Sequence, residues 1–523
     1  MSTPVQMRED TGSAATVQQI NQGLPVVQAS DVTVDRLELT ADVVIIGSGA
    51  GGAVTAYELA RKGLDVLVLE AGPYVPSNEF TEDFSESLET LYEDHGGQAN
   101  TDGDLLVLQG RCVGGSTVVN GCVSFRTPDF IFEEWHRDFG LTDFTSASMA
   151  PYFERVERNL SITENGPHEI ARHSRIMQRG AEALGWSMKP FKRNIRECAL
   201  TGHCLSGCKT ERKQSMLVTY LPWAAAHGAR IHSDTRVDRV TAEQGRATGV
   251  EGRVIDRHGK HVADVSVKAE RVIMAAGAVQ TPVILQRSGL GNDQVGRNFA
   301  CHPSMYVGAR YPEPVHPWRG AMLGVYVDEF MHPDNGGFIL EVGGLGIAEL
   351  CMISEPGTGK PFVEYMEKAA HMAGIVTLIH DHNVGEIRWQ GDHKEIVYKL
   401  SDKDFPSMLA SLKAAVRLHL AAGAEEVLLP TSERLSVTSV DQIDAVIDRL
   451  SNKPQHLRMV SYHPQGSCRM GTDPANSATD PEGRLRGVEG VWVADASLLP
   501  TSLIVNPQVT VYALANYVAD RIG

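Results

Sequence analysis

ADVVIIGSGAGGAVTAYELARKGLDVLVLEAG, residues 41–72, opens with an apolar run of strand length, breaks at Gly47-Ser-Gly49-Ala-Gly-Gly52, continues with helical character and ends in a second apolar run, DVLVLE. That order is a βαβ unit. Gly47 permits the sharp turn, Gly49 lets backbone N–H groups approach a pyrophosphate at the helix N-terminus, and Gly52 lets helix and strand pack closely. Glu70 closes the second strand about twenty residues after the turn, placed to accept hydrogen bonds from ribose hydroxyls. Strand, helix, second strand and terminal acid together specify a dinucleotide site. The ADP half that they read is common to FAD and NAD, so the rest of the chain must decide between them.

The whole chain is globular in composition. Its 523 residues, 42% hydrophobic, bury a large core and predict two or three domains unless one segmented architecture uses them all. The formal charge of −17, with Lys and Arg scattered singly, excludes a nucleic-acid partner and an anionic membrane surface, both of which need clustered basic residues. The first 40 residues have neither a basic n-region nor an apolar h-region, which predicts a cytoplasmic protein. No run reaches the length of a membrane span; the nearest, GGFILEVGGLGIAELCMI (336–353), is broken by Glu341 and Glu349 and reads as a buried strand pair.

Four stretches far apart in the chain resolve the cofactor. They are LQGRCVGGSTVVNGCVSFRTPD (residues 108–129), RVIMAAGAVQTPVILQRSGLG (271–291), YHPQGSCRMG (462–471) and GVWVADASLLPTSLIVNPQVTVYALANYVADRI (490–522). VIMAAGAVQTPVIL reads as a strand, a glycine turn and a helix start, able to rejoin the parallel sheet. VWVADAS is another short strand, ending in Asp495. The run from Asn506 onward is an amphipathic helix whose N-terminus presents donors to developing charge. With the βαβ unit, these motifs resemble the glucose-methanol-choline (GMC) flavoprotein oxidoreductases, in order from about residue 40 to the C-terminus.

The resemblance implies an α/β fold: a discontinuous, doubly wound, Rossmann-like FAD-binding domain and a substrate-binding domain built on an antiparallel sheet flanked by helices. The implied segments are an extension at 1–35, an FAD domain at 36–125, 209–310 and 456–523, and a substrate domain at 126–208 and 311–455. It further implies that FAD is contacted by Gly47, Gly49, Gly52, Glu70, Arg111, Gly114, Gly115, Ser116, Asn120, Gly121, Val237, Ala276, Gly277, Asp495, Pro507, Gln508 and Val509. Val119 occupies the place where some relatives carry a flavin-linking histidine, so non-covalent FAD is expected, with Cys112 an ordinary thiol.

Alcohol oxidation needs a base for the hydroxyl proton and an acceptor for the carbon-bound hydride. The family's catalytic histidine falls on His463, and its second active-site position, His or Asn, falls on Asn506. Read bare, Asn506-Pro507 is a helix N-cap followed by a first-turn proline, a role compatible with a side chain facing the flavin. His302 matches a family motif at the edge of the flavin domain and reads as a packing or domain-joining residue. IHDHNVGEI (379–387), with His380 and His382 around Asp381, reads as a strand with one histidine toward the pocket rather than a metal site. The expected reaction is oxidation of an alcohol CH–OH to aldehyde or ketone, with O2 or an electron-transfer carrier as acceptor. A sugar, glycoside or cyclic alcohol leads as substrate, a long-chain or sterol alcohol is the alternative, and a non-redox flavin lyase is the alternative of another class. A homo-oligomer is admitted.

CALTGHCLSGC (198–208) holds three of the eight cysteines. Cys198, Cys204 and Cys208 fall on a bacterial ferredoxin run that lacks its second cysteine at Thr201 and has Lys209 where proline usually follows. Some flavin glucose dehydrogenases that the chain resembles carry a three-iron cluster here, whereas many relatives are plain flavin oxidases with free thiols or a local disulfide. Zinc would need a fourth ligand such as His203. Arg193, Arg196, Lys209, Arg212 and Lys213 lie close in sequence and would lower thiol pKa values. The sequence leaves an iron-sulfur site, free or bridged thiols, and zinc open.

Overall fold

The computed structural model describes residues 23–353, 359–382, 385–451 and 456–522; residues 1–22 of the extension, and 383–384 within IHDHNVGEI, lie outside the described residues. The strand Val43–Ile46 is the centre of a five-stranded parallel sheet, flanked by Val66–Leu69 and Arg271–Met274, with Arg230–His232 and Val491–Val493 at the edges. Val44 stands opposite Leu67 on one side and Val272 on the other. Every residue of Val43–Ile46 and Val66–Leu69 is buried. That is why both read as continuous apolar runs: with both faces of the sheet covered, alternation with polar residues would strand polar groups inside.

The helix Ala50–Ala60 makes the first crossover and packs against the C-terminal helix Gln508–Ala519. A four-stranded sheet, Arg36–Thr40, His261–Lys268, Arg246–Ile255 and Thr235–Glu243 in spatial order, packs on strands Arg271–Met274 and Val66–Leu69. The expectation of an amphipathic C-terminal helix is corrected. All but Gln508 and Tyr517 are buried, because Gln508–Ala519 lies between Ala50–Ala60 and Ser146–Asn159 and has no solvent face to keep polar.

A nine-stranded sheet forms the second layer, antiparallel except where Met459–Ser461 pairs in parallel with Leu105–Val107. The helices Arg172–Leu184 and Phe405–Ala421 cover one face. The two-residue period of its strands divides their side chains. Met305, Val307 and Ala309, like Phe338, Leu340 and Val342, join the core under those helices, whereas Tyr306 and Glu341 point the other way and line a cavity. Leu105–Val107, Ser304–Arg310 and Met459–Ser461 all belong to this sheet although they fall within the segments 36–125, 209–310 and 456–523.

Two further readings change. The run at 336–353 is one strand, Phe338–Gly343, followed by a helix, Ile347–Ile353, and not a strand pair. A short apolar run has no decisive period, and after the Gly-Leu-Gly break Ala348, Glu349 and Leu350 are good helix formers. The strand Met372–Ile379 ends before His380. Asp381 turns inward to accept the N–H groups of Cys301 and His302 at 2.9 and 3.0 Å, which takes the chain out of the ladder. His380 consequently faces Glu134 at 3.4 Å and not the cavity, and His382 pairs with Asp404. Among the described residues no helix is long and apolar enough to cross a membrane.

Candidate active site

A cavity of about 910 Å³ runs between the two layers, from the Gly47–Gly51 turn to His463 and Asn506. Its deep end is shaped by backbone. Gly47 has φ +100°, and a Cβ there would lie 2.4 Å from the Ala275 carbonyl oxygen. Gly51 is more constrained, since its Cβ would lie 1.5 Å from the Ala494 oxygen. Gly49 caps the helix Ala50–Ala60 without a side-chain hydrogen bond, which leaves first-turn N–H groups and the positive end of the dipole for an anion in the cavity.

Two acids flank this end. The Glu70 carboxylate accepts from Ser48 N–H (2.9 Å), Ser48 Oγ (2.7 Å) and Gly72 N–H (2.9 Å), and burial raises its pKa against the pull of those bonds. Asp495 accepts from Gly277 N–H (2.9 Å), Thr281 Oγ (2.6 Å) and Ser497 N–H (2.8 Å), and burial again pushes it up. It thereby ties the strand Val491–Val493 to the start of the helix Gly277–Ser288. Small residues, free amide donors and acids at two strand ends fit a dinucleotide.

At the other end the loop after Gly115 carries Val119, Asn120 and Gly121 along the cavity wall. Asn120 Nδ2 donates to Gln508 Oε1 at 2.9 Å, and Gln508 Nε2 donates to the Val123 carbonyl at 2.6 Å, so loop and C-terminal helix are joined where a flat ring would lie. Gly47, Gly49, Glu70, Arg111, Gly115, Ser116, Asn120, Gly121, Val237, Ala276, Gly277, Asp495, Pro507 and Gln508 line the cavity. Gly52, Gly114 and Val509 do not. Gly52 packs against the Gly47 carbonyl oxygen, where a Cβ would come within 2.0 Å, Gly114 N–H donates to Ser48 Oγ at 2.9 Å, and Val509 is buried in the helix packing.

His463 and Asn506 meet. Asn506 Nδ2 lies 3.2 Å from His463 Nε2, and both side chains line the cavity. Burial takes the His463 pKa down to about 3, so the ring is neutral at physiological pH. The helix begins at Gln508 with Pro507 as its cap, one residue later than the Asn-Pro reading, and this leaves the Asn506 amide free to face His463. His302 joins segments as expected, through Asp381, but also contacts the site: its Nδ1 lies 3.2 Å from His463 Nδ1, and burial holds its pKa well below the usual imidazole range.

Sequence reasoning missed the roof. Tyr306, Leu323, Glu341, Leu345, Val376 and Leu378 come from segments without a motif, and only the break that Glu341 makes in an apolar run marked any of them. Glu341 is buried and its Oε1 has no hydrogen-bond partner. Burial raises its pKa to about 8 while the Asn506 amide pulls the other way.

The cysteines of CALTGHCLSGC are half-buried and free. Arg193 Nη1 lies 4.0 Å from Cys198 Sγ, and the Lys213 N–H donates to Cys208 Sγ at 3.4 Å. Arg196 and Arg212 turn instead to Ser161 and Glu197. Among the described residues no three His, Cys, Asp or Glu side chains are placed to share a metal ion.

Two models of the GMC oxidoreductase family match residues 88–304 and 381–515, and a general FAD-dependent oxidoreductase model matches 42–81. A GMC-type oxidoreductase of Mycobacterium tuberculosis is 35% identical over 92% of this chain and 75% of its own length. Long-chain-alcohol oxidase FAO1 of Arabidopsis thaliana is 30% identical over 96% and 69%, and 6'''-hydroxyparomomycin C oxidase of Streptomyces lividus 28% over 91% and 90%. The fold is that of pyridoxine 4-oxidase from Mesorbium loti, with a TM-score of 0.68 and 20% identity over 92% of this chain and 99% of that one. The chain belongs to the GMC oxidoreductase family, as an enzyme that binds FAD non-covalently and oxidises the CH–OH group of an alcohol.

Proposed function

We propose that the chain oxidises a primary or secondary alcohol on a mid-sized cyclic or glycosidic compound, with His463 taking the hydroxyl proton and Asn506 orienting the oxygen. FAD, when bound, supplies the hydride acceptor. A neutral His463 keeps a nitrogen able to accept a proton, and its half-buried place at the cavity wall keeps bulk water from competing. The Asn506 amide donates as charge grows on the substrate oxygen, without removing the proton itself. The proposed electron acceptor is O2 or an electron-transfer carrier, and the proposed compartment is the cytoplasm.

Glu341 is the observation that carries the substrate reading. A buried carboxyl with Oε1 unpartnered, and only the Asn506 amide acting on it, is costly unless the ligand supplies a partner, and a second hydroxyl or an amine on the substrate does so where a plain alkanol cannot. The named activity of the Streptomyces lividus relative, on a paromomycin derivative, supports this. The aliphatic lining from Leu323, Leu345, Val376 and Leu378 favours a second reading, a long-chain alcohol, in keeping with the Arabidopsis relative.

The test is anaerobic mixing of the holoenzyme with matched alcohols, following loss of the oxidised-flavin absorbance. Cyclic alcohols bearing a second donor are expected to bleach it faster than straight-chain alcohols of equal carbon number. The reverse order selects the long-chain reading. Cleavage of a cyanohydrin with no bleaching by any alcohol would overturn the alcohol chemistry itself.

A further inference from the structure

One row of the nine-stranded sheet carries no side chain on its cavity face. Gly308, Gly374 and Gly343 stand in register across the strands Ser304–Arg310, Met372–Ile379 and Phe338–Gly343. They share a face with Tyr306, Val376 and Glu341, which form the next row and line the cavity. None of the three has a left-handed φ, so the backbone itself does not require glycine there. Glycine inside a strand gives up side-chain packing, and here it marks the close approach of another group.

That group is the Tyr306 ring. A Cβ at Gly374 would lie 1.9 Å from Tyr306 Cζ, 2.0 Å from Oη and 2.2 Å from Cε2, and one at Gly308 would lie 3.6 Å from Cε1. The phenol therefore leans along the sheet from its own row and lies across Gly374. Tyr306 is 3% exposed, and among the described residues its Oη has no hydrogen-bond partner. A buried hydroxyl left unbonded costs stability, so what the phenol contributes here is volume. Gly343, at the near end of the row, lines the cavity, whereas Gly308 and Gly374 lie beneath the ring. Across Val376, two strand spacings or about 10 Å of backbone separate Tyr306 from Glu341, so a substrate seated against Glu341 meets the phenol on the far side of Val376.

We propose that Tyr306 is the specificity-determining residue that sets the size of alcohol the cavity takes. Its ring fills a trough floored by Gly308, Gly374 and Gly343 and shuts that trough to the substrate. A shorter side chain at 306 joins the trough to the cavity, where a second ring or a branched substituent of the alcohol can lie on a floor without Cβ atoms. Gly374→Ala acts in the opposite sense, because its Cβ would drive the ring off the floor and into the cavity. The inference rests on the reading of the cavity as an alcohol site and adds to it the place where the substrate must end.

The test measures dissociation constants of the anaerobic holoenzyme for cyclohexanol and for 4-phenylcyclohexanol, from the concentration dependence of flavin bleaching or, where none occurs, of the shift in the flavin spectrum. Tyr306→Ala should move the ratio of the two constants in favour of the larger alcohol by about tenfold or more, as burial of about two further methylene groups would. Tyr306→Leu should move it less in the same direction, and decides the matter if the Ala variant does not fold. Tyr306→Phe keeps the ring and should leave the ratio unchanged. Gly374→Ala added to Tyr306→Ala refills the trough and should cancel part of the shift, whereas Gly374→Ala alone should weaken binding of cyclohexanol. A wild-type ratio in both Tyr306→Ala and Tyr306→Leu, or no response to the larger alcohol in any variant, would overturn the proposal. So would a shift in Tyr306→Phe as large as that in Tyr306→Ala, since the substrate would then be reading the hydroxyl and not the ring. Binding without bleaching counts against the alcohol chemistry instead, and the same ratio still decides the size limit.

Discussion

His302 Nδ1 lies 3.2 Å from His463 Nδ1, and two imidazole nitrogens hold together at that distance only when one carries a hydrogen and the other does not. Gln465 at one end of the pair and Asn506 at the other bear on which. Gln465 Nε2 donates to the His463 carbonyl at 3.1 Å and turns its second hydrogen toward His302 Nε2, 3.3 Å away. In that orientation Gln465 would keep the His302 hydrogen on Nδ1 and put the His463 hydrogen on Nε2, where it meets Asn506 Nδ2, a donor 3.2 Å away that requires this nitrogen bare; the two amides as placed therefore call for opposite tautomers. Turning the Gln465 amide brings its partnerless Oε1 to His302 instead, shifts both hydrogens and bares His463 Nε2 for a proton.

Gln465 is accordingly expected to act as a positioning residue for His463. Gln465→Glu places a permanent acceptor at His302 Nε2 and should keep or raise the rate of flavin reduction, while Gln465→Leu, which can neither donate nor accept, should lower it by about tenfold or more. FAD content should be unchanged in both. Equal rates for the two variants in stopped-flow mixing would show that the amide does not set the tautomer.

Gly51 should be the least replaceable residue of the dinucleotide turn. Ala at 51 would place its Cβ 1.5 Å from the Ala494 carbonyl oxygen, next to Asp495, so the strand end that reaches the helix Gly277–Ser288 would have to move. Ala at 49 meets nothing closer than Gly115 Cα at 3.8 Å. Gly51→Ala is expected to lower the thermal midpoint and lose FAD together, Gly49→Ala to weaken FAD without unfolding the chain. Calorimetry alongside flavin absorbance of the purified variants separates the two.

The parts that a backbone must make in order were legible in the chain. Gly47, Gly52 and Glu70 had their places because a βαβ turn forces spacing on its residues, and His463 and Asn506 because their motifs are continuous with strands and a helix start. Gly51 was missed because its reason is the Ala494 carbonyl, more than four hundred residues away in sequence. Glu341 was read only as an interruption of an apolar run; that it faces the cavity follows from the register of Phe338–Gly343 against Met372–Ile379, which no local pattern encodes. The same limit hid Gln465, whose partner His302 belongs to another segment.

Acid should destabilise the protein earlier than its carboxylates alone would. His173 and His419 are buried and neutral, each with its pKa taken down to about 4 by burial, and His463 to about 3. His419 donates from Nε2 to the Val307 carbonyl at 3.0 Å and accepts the Tyr311 hydroxyl at Nδ1, so it has no room for a second proton. The unfolded chain binds protons at these positions below about pH 6.5, whereas the folded chain does not until about pH 4. Stability from this source is present above the unfolded value and is lost as pH falls through that window, by up to about 1.4 kcal/mol per pH unit for each histidine. Urea midpoints between pH 7 and 5 should fall, and His419→Gln should flatten the slope; a midpoint constant over that range would contradict it.

Glu341 should put a second titration into substrate binding. With its pKa raised to about 8, the carboxyl is mostly protonated at pH 7 and becomes an acceptor-only carboxylate above pH 8. An amino alcohol brings a cation to it, so its KM should fall as pH rises through about 8, until the substrate amine loses its own proton. A plain alkanol of the same length brings nothing to pair with the new charge, and its KM should rise over the same interval. Glu341→Gln should remove the inflection for both and narrow the difference between them, leaving the pH dependence of flavin reduction at saturating substrate intact. The inflection surviving in Glu341→Gln would assign it to another group; Tyr462, on which Glu341 bears, has its own pKa driven upward by burial and away from this range.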